Sequence, residues 1–203
     1  MTANPPRHLL LDIGMVLVRL DYKLLADKMR TLAQIEPAQL QAILTRNEFV
    51  REFECGKLSE TEFYEEVCRR IGMNIPWSEF LEAWNSIVAD QLVSDHLLAA
   101  LAGKAHLWAI SNTNRTHFDF LARSFTFLRH FEGLILSYEV GALKPDARIF
   151  REALRKSGAP VTDLLFVDDQ EINVKAARIL GVDGFTFLSP AQFESEMRIR
   201  GLL

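Results

Sequence analysis

The stretch Leu9-Leu10-Leu11-Asp12-Ile13-Gly14 decides how the rest of the chain is read. Its apolar character continues to Leu17, a run suited to a strand buried on both faces, as the central strands of parallel sheets are. An aspartate in such a run is costly to desolvate, so it needs a cation, a cluster of donors or a chemical task. Asp12 is therefore the first candidate for function, and Gly14, two residues on, offers a backbone carbonyl but no side-chain proton.

Outward from this strand the hydrophobic period changes. Between Tyr22 and Ala89 apolar residues recur at helical spacing in four groups: Leu24, Leu25, Met29 and Leu32; Leu40, Ile43, Leu44, Val50 and Phe53; Phe63, Val67 and Ile71; and Phe80, Leu81, Trp84, Ile87 and Val88. Ser59 with Glu62 forms a capping box ahead of the third group, and Gly72 closes it. The spacing predicts a four-helix insert without an intervening strand. From Ser94 onward helices alternate with short apolar strands at Ala105 to Ile110, Leu134 to Ser137, Leu164 to Val167 and Phe185 to Leu188. That alternation predicts βαβ units and a mainly parallel sheet of about five strands covered on both faces. The organisation expected is an α/β core over residues 1–20 and 91–203, with a helical cap over 21–90.

Bulk properties narrow the function. The chain has 203 residues, 49% hydrophobic and 25% charged, with a formal charge of −4. This balance gives no reason to expect nucleic acid or an anionic membrane as a partner. The apolar residues near the N-terminus are interrupted at Asp12, unlike a signal peptide, and no stretch has transmembrane length, so a cytoplasmic protein is expected. Cys55 and Cys68 belong to no Cys-x-x-Cys pair, and the five histidines share no ligand spacing. Trp77, Trp84 and Trp108 are expected in the core. Oligomeric state has no signature.

Ligands of open parallel sheets bind at the carboxyl ends of the strands. The first strand delivers Asp12 there, the second Ser111 and Asn112, and the fourth Asp168 and Asp169; the segment after the third leads to Lys144. Three carboxylates then face one ammonium, and a Mg²⁺ ion would restore the balance and admit a phosphate dianion. Singly, each motif reads as well as a cap, a turn or a helix start. Their order, each after its own strand, favours a shared site.

Asp12-x-Gly14, Ser111-Asn112, Lys144-Pro145 and Asp168-Asp169 resemble the four motifs of the haloacid dehalogenase superfamily of phosphohydrolases. The stretches Leu11 to Val18, Ser111 to Asn114 and Phe166 to Asn173 look most like its bacterial α-D-glucose-1-phosphate phosphatase subgroup, related to the phosphatase domain of soluble epoxide hydrolases. Met15 and Arg19 depart from that subgroup, where a polar Asn and an acidic residue are common. Both lie where the chain enters the cap and bear on the substrate. The resemblance implies a three-layer Rossmann-like core and a phosphatase acting on a small phosphorylated metabolite, a sugar phosphate such as a sugar 1-phosphate. In it Asp12 is the nucleophile that forms an aspartyl-phosphate. Asp12, the Gly14 carbonyl, Asp168 and Asp169 hold Mg²⁺; Ser111 and the Asn112 amide bind the phosphoryl group, and Lys144 neutralises charge. In commoner members an Asp at the place of Gly14 is the general acid. Its absence points to an easily expelled leaving group, or to a water or a cap carboxylate such as Asp21 as a replacement. The alternatives are a 2-haloacid dehalogenase using Asp12, and a catalytically silent phosphate-binding protein.

Overall fold

A computed structural model of the chain describes residues 5–33, 38 and 48–203. Five parallel strands form the central sheet: β1 (His8–Asp12), β4 (His106–Ser111), β5 (Gly133–Leu136), β6 (Leu164–Asp168) and β7 (Asp183–Thr186), in the order β5-β4-β1-β6-β7. The period-2 alternation of strand side chains explains the layers. Leu9, Leu11, Leu107, Ala109, Leu165 and Val167 project into one apolar cluster, which is covered by Leu98, Leu101, Leu121, Phe193 and Met197. Leu10, Ile110, Leu164 and Phe166 project into the other, against Ile149, Phe150, Ala153, Val174 and Ala177. These covering residues belong to helices Asp95–Ala102, Arg115–Ser124 and Pro190–Ile199 on one face, and Ala147–Ser157 and Glu171–Ile179 on the other. The expected three-layer α/β core is present.

The insert contains α1 (Tyr22–Ala33), α2 (Glu48–Glu54), α3 (Glu60–Ile71) and α4 (Trp77–Asn85). Leu40, Ile43 and Leu44, expected in the second helix, lie outside the described residues. Helix α3 begins with the expected capping box, Ser59 and Glu62 bonding each other's backbone, and ends at Gly72 in the left-handed conformation. Phe63 is the centre of the insert's own apolar cluster, with Phe53, Phe49 and Trp84 at ring distances of 4.0, 4.7 and 4.9 Å.

Three expectations change. The run Leu9 to Leu17 is strand only to Asp12; beyond it, the amides of Leu17 and Val18 both donate to the Ile13 carbonyl, which turns the chain. Val88 is not helical: β3 (Val88–Gln91) pairs antiparallel with β2 (Val18–Leu20), so the two connections to the insert form a two-stranded link. Cross-strand hydrogen bonds overrode the helical phase that Ile87 and Val88 share with Trp84. Trp77 is 38% exposed and packs edge-on to Tyr64 instead of entering the core.

The insert also meets the core away from this link. Trp84 of α4 stacks on His117 at 4.7 Å and its indole N–H donates to Thr116 Oγ1 at 3.1 Å. His117 Nε2 donates to the Trp84 carbonyl (3.1 Å), which leaves Nδ1 to accept from the Asn114 amide (3.0 Å) and requires a neutral ring. Burial pushes the His117 pKa from 6.5 down to about 4. The unfolded chain thus binds more protons than the folded one between those values, and stability falls as pH drops through that window. Urea unfolding of the wild type is expected to lose at most about 3 kcal/mol more between pH 6.5 and pH 4 than His117→Gln does; equal losses would mean that the histidine is not held neutral.

Candidate active site

The strand order β4-β1-β6 sets the ends of three strands side by side, and each ends in a polar residue: Ser111, Asp12 and Asp168. Lys144 arrives from the segment after β5, which makes one short helical turn (Ser137–Val140) and reverses at Gly141 with φ 72°. Its ammonium lies 2.7 Å from Asp12 Oδ1 and 2.7 Å from Asp168 Oδ2, and it also donates to the Ile110 carbonyl at 3.3 Å. All three charged side chains are buried, Lys144 being only 5% exposed. Carboxylate oxygens of Asp12, Asp168 and Asp169 lie within 4.8 Å of one another.

Such crowding shifts every titration. Burial raises Asp12 well above the ordinary carboxylate range, against the attraction of Lys144, and the neighbouring Asp168 adds to the rise. Burial acts the same way on Asp168, but Lys144, the Gln170 amide and the Asn173 side chain outweigh it and hold that carboxyl low. Lys144 is raised because its two carboxylates overcome its desolvation, and Asp169 is raised by burial and by Asp168. The cluster carries more negative charge than its one ammonium offsets, so it attracts a cation.

Expected site residues other than Gly14, which lies on the turn after Asp12, gather at this rim, and the side chain of one makes contacts that the sequence did not suggest. Asn112 uses its side chain to clamp the Lys144 backbone: Oδ1 accepts from the Lys144 amide (2.7 Å) and Nδ2 donates to the Lys144 carbonyl (3.0 Å). Two further residues matter that the sequence had not marked with a role. Asn173 donates to Asp168 Oδ1 at 2.9 Å, alongside the Gln170 amide at 2.8 Å. Buried Ser137 accepts from the Thr113 amide (2.9 Å), and its hydroxyl lies 2.9 Å from the Thr113 carbonyl and 2.7 Å from the Glu54 carbonyl at the end of α2. The Asn in a helix-starting Asp-Asp-x-x-x-Asn was the signal available for Asn173; nothing local marks Ser137. Asp21 is engaged elsewhere, capping α1 through the Leu24 amide (2.9 Å) and pairing with Arg19 (3.0 Å).

Residues 21–181 match the model of the haloacid dehalogenase-like hydrolases, and the chain belongs to that family. It is 29% identical over 187 residues to a drimenol cyclase of Aspergillus calidoustus, an alignment covering 89% of this chain but only 34% of the cyclase. It is 27% identical over 157 residues to a D-ribitol-5-phosphate phosphatase of Bacteroides thetaiotaomicron, covering 73% of this chain and 76% of that protein. Among solved structures, a HAD-family enzyme of the same bacterium, crystallised with magnesium and inorganic phosphate, superposes with a TM-score of 0.80 at 26% identity, covering 91% of this chain and 95% of that one. No helix among the described residues is long and apolar enough to cross a membrane.

Lys144 is the only cation hydrogen-bonded to these carboxylates among the described residues. Lys144→Met is expected to cost about 3–5 kcal/mol at pH 7, because it leaves buried carboxylates unpaired. The cost shrinks at pH 5: without the ammonium the folded carboxyls bind protons more tightly than the unfolded ones, and stability is lost as pH rises. Urea titrations at the two pH values test both the size and the direction.

Proposed function

We propose that the protein is a Mg²⁺-dependent phosphatase that hydrolyses a small phosphate monoester, a sugar phosphate such as a sugar 1-phosphate, through an aspartyl-phosphate on Asp12. The observation carrying this reading is the convergence of Asp12, Asp168 and Asp169 within 4.8 Å, with Lys144 bridging the first two. Three carboxylates with an excess of negative charge form a hard oxygen donor set that fits Mg²⁺ better than a softer metal. The phosphatase relative and the magnesium and phosphate complex of the structural neighbour support it.

In this reading the carboxylates of Asp12, Asp168 and Asp169 and the carbonyl of Gly14 hold the ion. Bound there, Mg²⁺ supplies positive charge that draws in the phosphate and offsets charge on its oxygens. Asp12 attacks phosphorus in line, splitting one hard displacement into two. Burial favours the protonated form of Asp12, and the charges of Lys144 and of a bound cation would oppose it and favour the carboxylate that attacks. Ser111 and the Asn112 amide hold phosphoryl oxygens at the end of β4, and the side chain of Asn112 fixes the Lys144 backbone so that the ammonium stays between its carboxylates. Charge neutralisation and positioning supply most of the rate. Residues 21–90 act as the cap that shields the site from water and contacts the leaving group.

Turnover of an aryl phosphate by the wild type is expected to require Mg²⁺ and to fall by about 10⁴-fold or more in Asp12→Asn. Hydrolysis that survives chelation or that substitution would sink the mechanism, and chloride release from 2-chloro acids would replace it with dehalogenation. A panel of sugar phosphates then ranks substrates by kcat/KM, with sugar 1-phosphates expected at the top.

A further inference from the structure

Gly14 has a neighbour that gives its missing side chain a physical cause. A Cβ built on Gly14 would stand 3.0 Å from Leu20 Cδ1 and 3.6 Å from Leu20 Cγ, and it would meet no other atom within 4 Å. The first distance is tighter than ordinary van der Waals contact, so Leu20 would have to move. Its backbone is held, so the movement would fall on the side chain. Leu20 is the last residue of β2, in register with Val88 of β3, and its amide donates to Met15 Sδ at 3.4 Å. Leu20 and Val88 both pack against the sheet-face cluster and against the cluster of the helical insert, so withdrawing the leucine opens an apolar seam between the two. Met15, whose sulfur accepts from the Leu20 amide, has a left-handed backbone, φ 60°, three residues before β2 begins at Val18.

We propose that Leu20 determines the leaving-group selectivity of this site by occupying the seat of a position-14 side chain. The inference rests on the phosphatase reading given above. With an isobutyl group there, the wall beside Asp12 and Gly14 offers no carboxyl, and the departing oxygen receives no proton from it. As the bond from Asp12 to phosphorus forms, the phosphorus–oxygen bond of the ester breaks, its electron pair stays on the departing oxygen, and that oxygen leaves as an anion protonated afterwards by water. The substrate class that tolerates this is the phosphate ester of an acidic hydroxyl, whether a phenol, an enol or the anomeric hydroxyl of a sugar. Esters of simple alkanols are poor substrates.

Two measurements test the proposal. In the metal-free protein, thermal unfolding is compared for Gly14→Ala in the native and the Leu20→Ala backgrounds. Alanine at a position that can accept it stabilises by restricting the unfolded chain, so the sign depends on the seat: a loss of about 2–4 °C is expected with Leu20 present, and no loss or a small gain with it absent. Leu20→Val serves as the background if Leu20→Ala does not fold. In the Mg²⁺-loaded enzyme, the dependence of kcat/KM on leaving-group pKa is measured across aryl and alkyl phosphates. The slope is expected to be steep for the wild type and for Gly14→Asp, and shallower for Gly14→Asp with Leu20→Ala, with at least a tenfold gain on the alkyl esters relative to Gly14→Asp alone. The same Gly14→Ala effect in both backgrounds overturns the seat, and a slope as shallow in Gly14→Asp alone as in the double variant overturns its control of selectivity. Absence of any Mg²⁺-dependent turnover in the wild type instead removes the phosphatase reading, and the unfolding comparison still decides whether Leu20 fills the seat.

Discussion

Lys144, held between Asp12 and Asp168 at 2.7 Å from each, is the interaction on which the site depends. An ammonium and two carboxylates buried together are each expensive to desolvate, and they are tolerable only because they are paired and their remaining lone pairs find donors. The Gln170 amide and Asn173 satisfy the far oxygen of Asp168, and the Ile13 amide donates to Asp12 at 2.7 Å. Much of the surrounding backbone is arranged to bring Lys144 in. Its segment crosses from the edge strand β5 past β4 to reach β1 and β6, and Asn112 receives it with two hydrogen bonds to the main chain. Electrostatics fixes the ammonium, and the amide of Asn112 fixes the peptide carrying it.

The helical insert is secured to this rim at three places of different character. The β2–β3 link is a pair of strands bridged by the Arg19–Asp90 ion pair, and Leu20 and Val88 pack its apolar side against both clusters. Trp84 and His117 form an aromatic and polar contact whose hydrogen bonds need a neutral imidazole. The third contact is the end of α2, where the Glu54 carbonyl sits 2.7 Å from the Ser137 hydroxyl and Gly56 runs so close to Tyr138 that any Cβ would stand 2.1 Å from its carbonyl oxygen. Gly56 has φ 67°, so the close approach and the backbone conformation require glycine independently. This contact brings the insert beside Thr113, two residues beyond Ser111.

How much of this could be read from sequence follows the range of the interactions involved. Asp12, Ser111, Asp168 and Asp169 were legible because each ends or directly follows an apolar strand, and parallel sheets gather such residues on one edge. The alternation of Leu9, Leu10 and Leu11 between two clusters is likewise a local consequence of strand geometry. By contrast, β3 was hidden because its partner lies about seventy residues earlier and contributes only Val18 to Leu20. The clamp of Asn112 on Lys144 spans 32 residues, and Ser137 reaches 83 residues back to Glu54. Asp21 could be flagged by proximity to the first motif, yet its carboxylate is committed to capping the helix that starts at the next residue, through the Leu24 amide three residues on.

The apolar wall and the charged cluster reinforce each other. Asp12 is buried among the packed strand ends, and the lower effective dielectric strengthens its attraction to Lys144 while it penalises either charge alone. A carboxyl added at position 14 would therefore do more than provide a proton. It would bring a further acid beside a cluster already short of positive charge, and like-charge repulsion would raise the proton affinity of every member. Leucine at position 20 removes that burden by steric means, and the cluster keeps the charge balance that one lysine and one divalent cation can satisfy. Gly14 and Leu20 are thus a single structural choice, made six residues apart, in which an apolar side chain stands where a position-14 side chain would lie, close to Asp12 in the chain.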